Sequence, residues 1–240
     1  TTTEARVFES DETIEIELEI DNNRIGPGTA FDSAEKVLLS LRKSIKYILM
    51  GLQGSNYPVS YPELHTIELK YMKLIHNRDY RFNYEVVPKN FIGPSSSTLQ
   101  IKNIAPINEN AKFPNIRDNY TVTDKADGAR NMLYISNKGL IYLLSSSMNI
   151  MFSGAKTLND DLFNSLLDGE LISHDKYGKY INLYAAFDIY FINKQDIRSY
   201  NFIPENKDDT NRKFRLDILK DVIKNLKPTS IIENEISPIR

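Results

Sequence analysis

The sequence predicts an α+β fold built on an antiparallel sheet, and three observations predict it. Short apolar runs follow one another between residues 120 and 192 with turn residues between them. Amphipathic helical stripes lie before and after that block. The composition, 41% hydrophobic and 26% charged over 240 residues, suits one good-sized globular domain or one domain plus part of another.

Taken in order, residues 13–20 alternate strictly, with Ile14, Ile16, Leu18 and Ile20 on one face and Glu15, Glu17 and Glu19 on the other, which predicts a strand. Gly26-Pro27-Gly28 breaks it. Asp32, with Glu35 three residues on, has the spacing of a capping box for a helix striped by Val37, Leu38, Leu41, Ile45, Ile48 and Leu49 and ending near Gly51. Gly54, Pro58 and Pro62 make 52–62 the best candidate for a domain boundary. Leu64, Ile67, Tyr71 and Leu74 predict a second helix, and 88–114 reads as loop with room for one short strand. From Tyr120 the pattern predicts an antiparallel meander, with strands at 120–124, 129–136, 139–145 and 148–152 and turns such as Asn137-Lys138-Gly139. A short helix near 158–167, a strand over 168–172, a turn at 176–179, a long strand over 180–192 and a last helix over about 211–226 complete the layout.

The formal charge of −2 supplies no global basic field, so any RNA contact must come from a local patch. The absence of cysteine excludes disulfides, thiolate zinc sites and cysteine nucleophiles. No apolar run approaches the roughly 20 residues that span a bilayer. The chain starts without methionine and stops at Ile239-Arg240, as a piece of a longer polypeptide would. His65, His76 and His174 show no ligand spacing. Lys70, Lys73, Arg78 and Arg81, with Tyr71, Tyr80 and Tyr84, have the composition to touch RNA, although an ordinary helix face and loop explain them equally well.

The chemistry centres on Lys125-Ala126-Asp127-Gly128-Ala129-Arg130. A lysine at a strand end, beside a glycine that lets backbone approach closely, can be held over a bound phosphate as a nucleophile. An amine attacks phosphorus only when neutral, so such a site must favour that form, by burial or by nearby cations such as Arg130 and a metal ion. Lys, Asp and Gly at three set positions arise by chance in about one chain of this length in twenty to thirty, so the motif alone decides nothing. Downstream lie Asp168-Gly169-Glu170-Leu171, read as an acid after a tight turn, and Phe187-Asp188-Ile189 within a long apolar strand. An acid there can bind ribose hydroxyls or metal, and an aromatic can stack on a purine.

These three stretches, in this order, resemble motifs I, III and IIIa of the covalent nucleotidyltransferases, the mRNA guanylyltransferases and polynucleotide ligases. The resemblance covers about residues 88–240. It implies an antiparallel-sheet, ATP-grasp-like core, with Lys125 as the residue that takes up the nucleoside monophosphate. It further implies Asp127 and Gly128 in the nucleotide-binding loop, Arg130 and Glu170 on the ribose, Phe187 on the base, and Asp188 as an acid near the metal. Mg²⁺ or Mn²⁺ and GTP are the implied cofactor and substrate.

The glutamates at 15, 17 and 19 stand roughly 7 Å apart along one face, a row that needs solvent or cations. Upstream of this transferase pattern, the row resembles the metal-binding strand of tunnel-type RNA triphosphatases. In the capping enzymes of large cytoplasmic DNA viruses such as poxviruses, asfarviruses and mimiviruses, that barrel precedes the guanylyltransferase. The resemblance thus divides the chain into 1–52, the tail of a triphosphatase β-barrel, 53–87, a linker and helix, and 88–240, the first part of a guanylyltransferase. It implies capping of the 5′ end of nascent RNA, a cytoplasmic, viral-factory or virion location, and compatibility with a stimulatory or methyltransferase subunit, with no membrane partner. The same lysine chemistry serves an ATP-dependent ligase, and the same motifs fit an inactive scaffold module. The glutamate and lysine strands that the family places after Asp188 are not recognisable before Arg240, so the chain alone is expected to be catalytically incomplete.

Overall fold

The computed structural model describes residues 15–107, 110, 113–118, 120–204 and 213–240. The chain forms two compact units, 1–48 and 49–240.

In the first unit, residues 15–20 form no strand. Thr13 and Ile14, where the predicted strand begins, lie outside the described residues. Ile16, Leu18 and Ile20 are exposed, and no described strand pairs with this stretch. A lone alternating run has no ladder to satisfy its backbone groups, so its periodicity alone does not make a strand. After a single 3-10 turn at Asn22–Arg24, helix α1 runs over Ala34–Gln53. Its cap is Ser33 rather than Asp32: the Ser33 hydroxyl accepts from the Lys36 amide, while Asp32 pairs with the Lys36 ammonium at 2.9 Å. Gly51 stays helical, and the left-handed Gly54 (φ 57°) follows the last turn.

The second unit begins its core with α2 (Tyr61–His76), so the helix expected in a linker belongs to this unit's body. Ser60 caps it, Pro62 sits in its first turn, and left-handed Asn77 ends it. The stretch 88–107 holds a 3-10 turn at Pro88–Asn90 and a single helical turn, α3 (Ile101–Ile104), with no strand among its residues.

The sheet follows. Strands β1 (Ala129–Ile135), β2 (Leu140–Ser145), β3 (Ile150–Lys156), β4 (Ser165–His174), β5 (Tyr180–Ile192), β6 (Gln195–Asp196) and β7 (Thr229–Ser230) pair antiparallel in the order β6-β5-β4-β1-β2-β3-β7. Helix α4 (Arg215–Leu226) ends at left-handed Lys227, just before Pro228. The first part of the predicted last helix, at 211 and 212, lies outside the described residues.

The faces of the sheet explain the continuous apolar runs. On β1, Met132 and Tyr134 pack with Ile67, Tyr71, Met72 and Ile75 of α2. Leu133 and Ile135 pack with Leu219, Val222 and Leu226 of α4. A strand covered on both sides needs apolar residues at every position, which is why β1 and β2 read as unbroken runs. Tyr134, deep under α2, has its phenol pushed up to about 12 by burial.

Three expected elements differ. Residues 121–127 form no strand, and Val122 is fully exposed, because β2 and β4 already hold both sides of β1. The helix expected near 158–167 shrinks to one 3-10 turn, Asp160–Leu162, because Ser165 to Leu167 pair with β1 as the start of β4. Asp168 and Glu170 consequently lie inside a strand, not after a turn. Strand β3 runs on through left-handed Gly154 (φ 80°), where the Tyr57 ring lies 2.4 Å from where a Cβ would stand, so only glycine fits.

Candidate active site

The motif segment enters the sheet at Gly128. A Cβ there would stand 2.4 Å from the Leu171 carbonyl oxygen and 3.0 Å from Cγ of Glu170, so the glycine lets the chain run directly against β4. Upstream of it, Lys125 is 88% exposed, its ammonium 3.9 Å from a carboxylate oxygen of a fully exposed Asp127. Neither side chain is enclosed, and nothing desolvates the amine.

Downstream, the arrangement is fixed from several sides. Arg130 on β1 stands opposite Glu170 on β4. Its guanidinium nevertheless turns to Asp168, two residues away on the same strand. Nε reaches one Asp168 oxygen at 3.1 Å and Nη2 the other at 2.5 Å, while Nη1 donates to the Pro94 carbonyl. Asp168 is fully buried and also accepts the Tyr190 hydroxyl at 2.7 Å. A buried carboxylate survives only with such partners. The Asp168 hydrogen bonds hold the Arg130 pKa above its ordinary value, and burial, reinforced by Asp168, pushes the Tyr190 phenol well up. Arg130 stays a cation and Tyr190 a donor.

Aromatic rings flank the guanidinium, Phe91 at 5.6 Å and Phe187 at 5.7 Å from Cζ. Phe91 is brought there by α2: the buried Tyr71 hydroxyl donates to the Asn90 carbonyl (2.8 Å) and accepts from the Ile92 amide (3.1 Å), pinning the chain on both sides of it. Gly93 permits the turn past Arg130, since a Cβ there would meet Nη2 at 2.8 Å. Phe187 is the extra residue where β5 bulges between the Asp168/Asp188 and Gly169/Ala186 pairs, and it keeps 37% exposure. Gly169 lets the Tyr184 ring cross β4, a Cβ there falling 2.6 Å from that ring. Burial drives the Tyr184 phenol well above its ordinary pKa, and the hydroxyl donates toward the carbonyls of Asn131 and Leu167.

Of the residues named from sequence, the structure gathers Arg130, Glu170 and Phe187 around one end of β1, β4 and β5, with Gly128 at its edge. Lys125 and Asp127 project from the segment leading into it. Asp188, expected near a metal, is instead held by Arg215 of α4 through two contacts, 2.8 and 3.1 Å, and accepts the Ile189 amide at 2.8 Å. Arg215 also donates to the Tyr200 carbonyl and packs on Phe202, so this pair ties α4 to β5. Asp168, Tyr190, Phe91 and Arg215 were not singled out from sequence. Asp168 carried the nearest signal, as the first letter of the stretch that supplies Glu170. A separate open cavity of about 800 Å³ beside α4, lined in part by Asp161, Tyr200, Asp217 and Asp221, includes none of the predicted residues.

Glu15, Glu17 and Glu19 are exposed. Among the described residues, no three His, Cys, Asp or Glu side chains are grouped to hold a metal ion. No helix among them is long and apolar enough to cross a membrane.

Comparison with known proteins gives this geometry its family. Residues 65–233, well over half of the chain, match the family described as mRNA capping enzyme, catalytic domain. The chain belongs to the mRNA capping enzyme family. The matched stretch takes in most of α2, β1 to β7 and the whole Arg130 cluster. A probable mRNA-capping enzyme of Acanthamoeba polyphaga mimivirus is 28% identical over 162 residues, which is 68% of this chain and 12% of that relative. The chain therefore spans about an eighth of the relative's length. The mixed helix and antiparallel-sheet architecture is consistent with a capping-enzyme nucleotidyltransferase domain, whereas a triphosphatase barrel is not seen among the described residues.

Proposed function

We propose that this chain carries the nucleophile and the nucleoside-binding face of an mRNA guanylyltransferase. Nζ of Lys125 attacks the α-phosphorus of GTP, a P–N bond forms, the bond to the β-phosphate oxygen breaks, and pyrophosphate leaves while the amine releases its proton to solvent. A terminal oxygen of a 5′-diphosphate RNA then attacks the same phosphorus. The P–N bond breaks, the amine recovers a proton, and the cap bridge is made.

The observation that carries this reading is the convergence of Arg130, Glu170 and Phe187, from three strands, at the point where the Lys125 segment enters the sheet. Three of Arg130's five N–H donors are committed to Asp168 and Pro94, which fixes the guanidinium in place as a cation for a nucleotide to meet. The exposed face of Phe187 suits a purine.

A divalent cation, Mg²⁺ or Mn²⁺, fits this scheme as part of the nucleotide complex, where it would neutralise the triphosphate. The donor set here does not fit a resident ion, since Asp188 is committed to Arg215. A triphosphatase activity in the same polypeptide is a further part of the proposal. Its support is the alternation of Glu15, Glu17 and Glu19 in the sequence, which needs a strand pairing and a facing row of acids before it can hold metal.

The test is covalent labelling of the full polypeptide with α-labelled GTP or ATP. GTP-dependent, acid-labile label lost in Lys125→Ala is the expected result. Label from ATP alone would sink the capping reading in favour of ligation, and label retained in Lys125→Ala would remove the nucleophile.

A further inference from the structure

The segment after α2 is irregular and braced by its own side chains. From Asn77 to Val87 it has no helix or strand and holds itself together through side chains. The Arg78 guanidinium lies 5.0 Å over the Tyr80 ring and donates from Nε to the Tyr80 hydroxyl. Tyr80 meets Tyr84 edge to face at 4.6 Å. At the tip stands Phe82, 63% exposed. Its carbonyl accepts from His65 Nε2, and its ring meets the imidazole at 84° and 4.8 Å. One edge of the ring is therefore held while the rest faces solvent. A large aromatic fixed in this way stacks on a ligand with little further loss of freedom.

Charge distinguishes the same stretch. Over residues 78–89, Arg78, Arg81 and Lys89 outnumber Asp79 and Glu85, a balance of +1 in a chain whose total is −2, and Asp79 is itself paired with Lys73 of α2 at 2.7 Å. Arg81 and Lys89 are exposed on either side of Phe82 in the sequence. A plain solvated surface accounts for the cations but not for a clamped, outward-facing phenylalanine among them. Cations interleaved with aromatic rings are the chemistry that binds single-stranded nucleic acid without regard to sequence. The stretch also leads straight to the candidate site, since Phe91, nine residues beyond Phe82 and so within roughly 32 Å of it, packs on Arg130.

We infer that the face formed by residues 78–89 is the track for the body of the RNA whose 5′ end is capped, with a base stacked on Phe82 and phosphates held by Arg81 and Lys89. This rests on the capping reading. That reading supplies single-stranded RNA as the partner, while the surface itself shows the aromatic and cationic chemistry.

The experiment measures binding of the full chain to a 3′-labelled single-stranded RNA of roughly a dozen nucleotides by fluorescence anisotropy, over a range of salt. Phe82→Ala should weaken binding roughly five-fold or more, and Phe82→Tyr should restore it. The double variant Arg81→Ala/Lys89→Ala should flatten the plot of log affinity against log salt by about 1.4, from about 0.7 per lost phosphate contact. All these residues are exposed, so thermal midpoints should not move. Unchanged affinity and salt slope, or equal affinity for a duplex of the same sequence, would overturn the proposal. Labelling by GTP, measured in parallel, reads the other claim. If the full polypeptide forms no GMP adduct while RNA binding still depends on Phe82, the capping assignment fails and the RNA surface stands. If the adduct forms but the variants bind RNA normally, the reverse holds.

Discussion

Lys125 and Arg130 stand five residues apart in one motif, and the fold treats them in opposite ways. Arg130 is gripped by a buried carboxylate, a carbonyl and two aromatic rings, whereas Lys125 stands almost entirely in solvent beside an equally exposed Asp127. Under the proposed function, the contrast means that this unit prebuilds the part of the site that would recognise the nucleotide and leaves open the part that would react. A rigid recognition face can be made by a sheet alone. A neutral amine over a phosphorus needs enclosure that these strands do not supply.

The largest expected effect tests the open side. Lys125→Ala should abolish covalent GMP labelling, a loss beyond a thousand-fold, yet move the folding free energy by no more than about 0.5 kcal/mol, as exposed substitutions do. A denaturation midpoint that fell substantially would show that the segment is held after all. On the gripped side, Asp168→Ala leaves a cation and a phenol without their acceptor and should cost about 3 kcal/mol in chemical denaturation. That is the low end for a broken buried pair, because Arg130 keeps 26% of its side-chain exposure. Stability equal to the parent would mean that the cluster does not hold this end of the sheet together.

Gly128→Ala probes the joint between the two regions. Its new methyl would press on the Leu171 carbonyl and should cost about 2 kcal/mol by denaturant titration while lowering labelling less than Lys125→Ala does. Tyr190→Phe removes one hydrogen bond to a carboxylate, worth about 1.5 kcal/mol by denaturant titration, and should leave Phe187 and the bulge in place.

The smallest effect concerns the His65 clamp. Its two nitrogens face two acceptors, the Glu68 carboxylate at 2.8 Å and the Phe82 carbonyl, and only the imidazolium can donate to both. The Glu68 hydrogen bond first, then that of Phe82, raises its pKa above 6.5. A raised folded-state value means that the clamp's contribution is complete below about pH 6.5 and is lost as pH climbs through the higher folded value. Stability measured across that window should decline slightly for the parent and stay flat for His65→Gln.

Much of the fold was legible because periodicity reports burial directly. The stripe of Leu64, Ile67, Tyr71 and Leu74 pointed to α2, and the apolar runs at 129–136 and 139–145 pointed to β1 and β2, which the structure covers on both faces. The misses share one cause. Residues 15–20 and 120–124 have strand-like patterns but pair with no described strand, and 165–167 went to β4 because β1 offered a partner. In the site, Arg130, Glu170 and Phe187 lie together at one end of β1, β4 and β5. The commitment of Asp188 to Arg215 could not be read, because that partner lies 27 residues further on, on α4.

By itself, then, the sequence determined which residue types stand where along each element: the lysine before a glycine at the mouth of β1, the acid and the aromatic on later strands, and the apolar rows that bury the sheet. Only the tertiary structure decided which polar groups face one another. Arg130 finds Asp168, 38 residues further along the chain, rather than its cross-strand neighbour Glu170, because register and bulges set the distances. Burial can be read from a pattern in one dimension, whereas the pairing of charges depends on contacts between segments that no local pattern records.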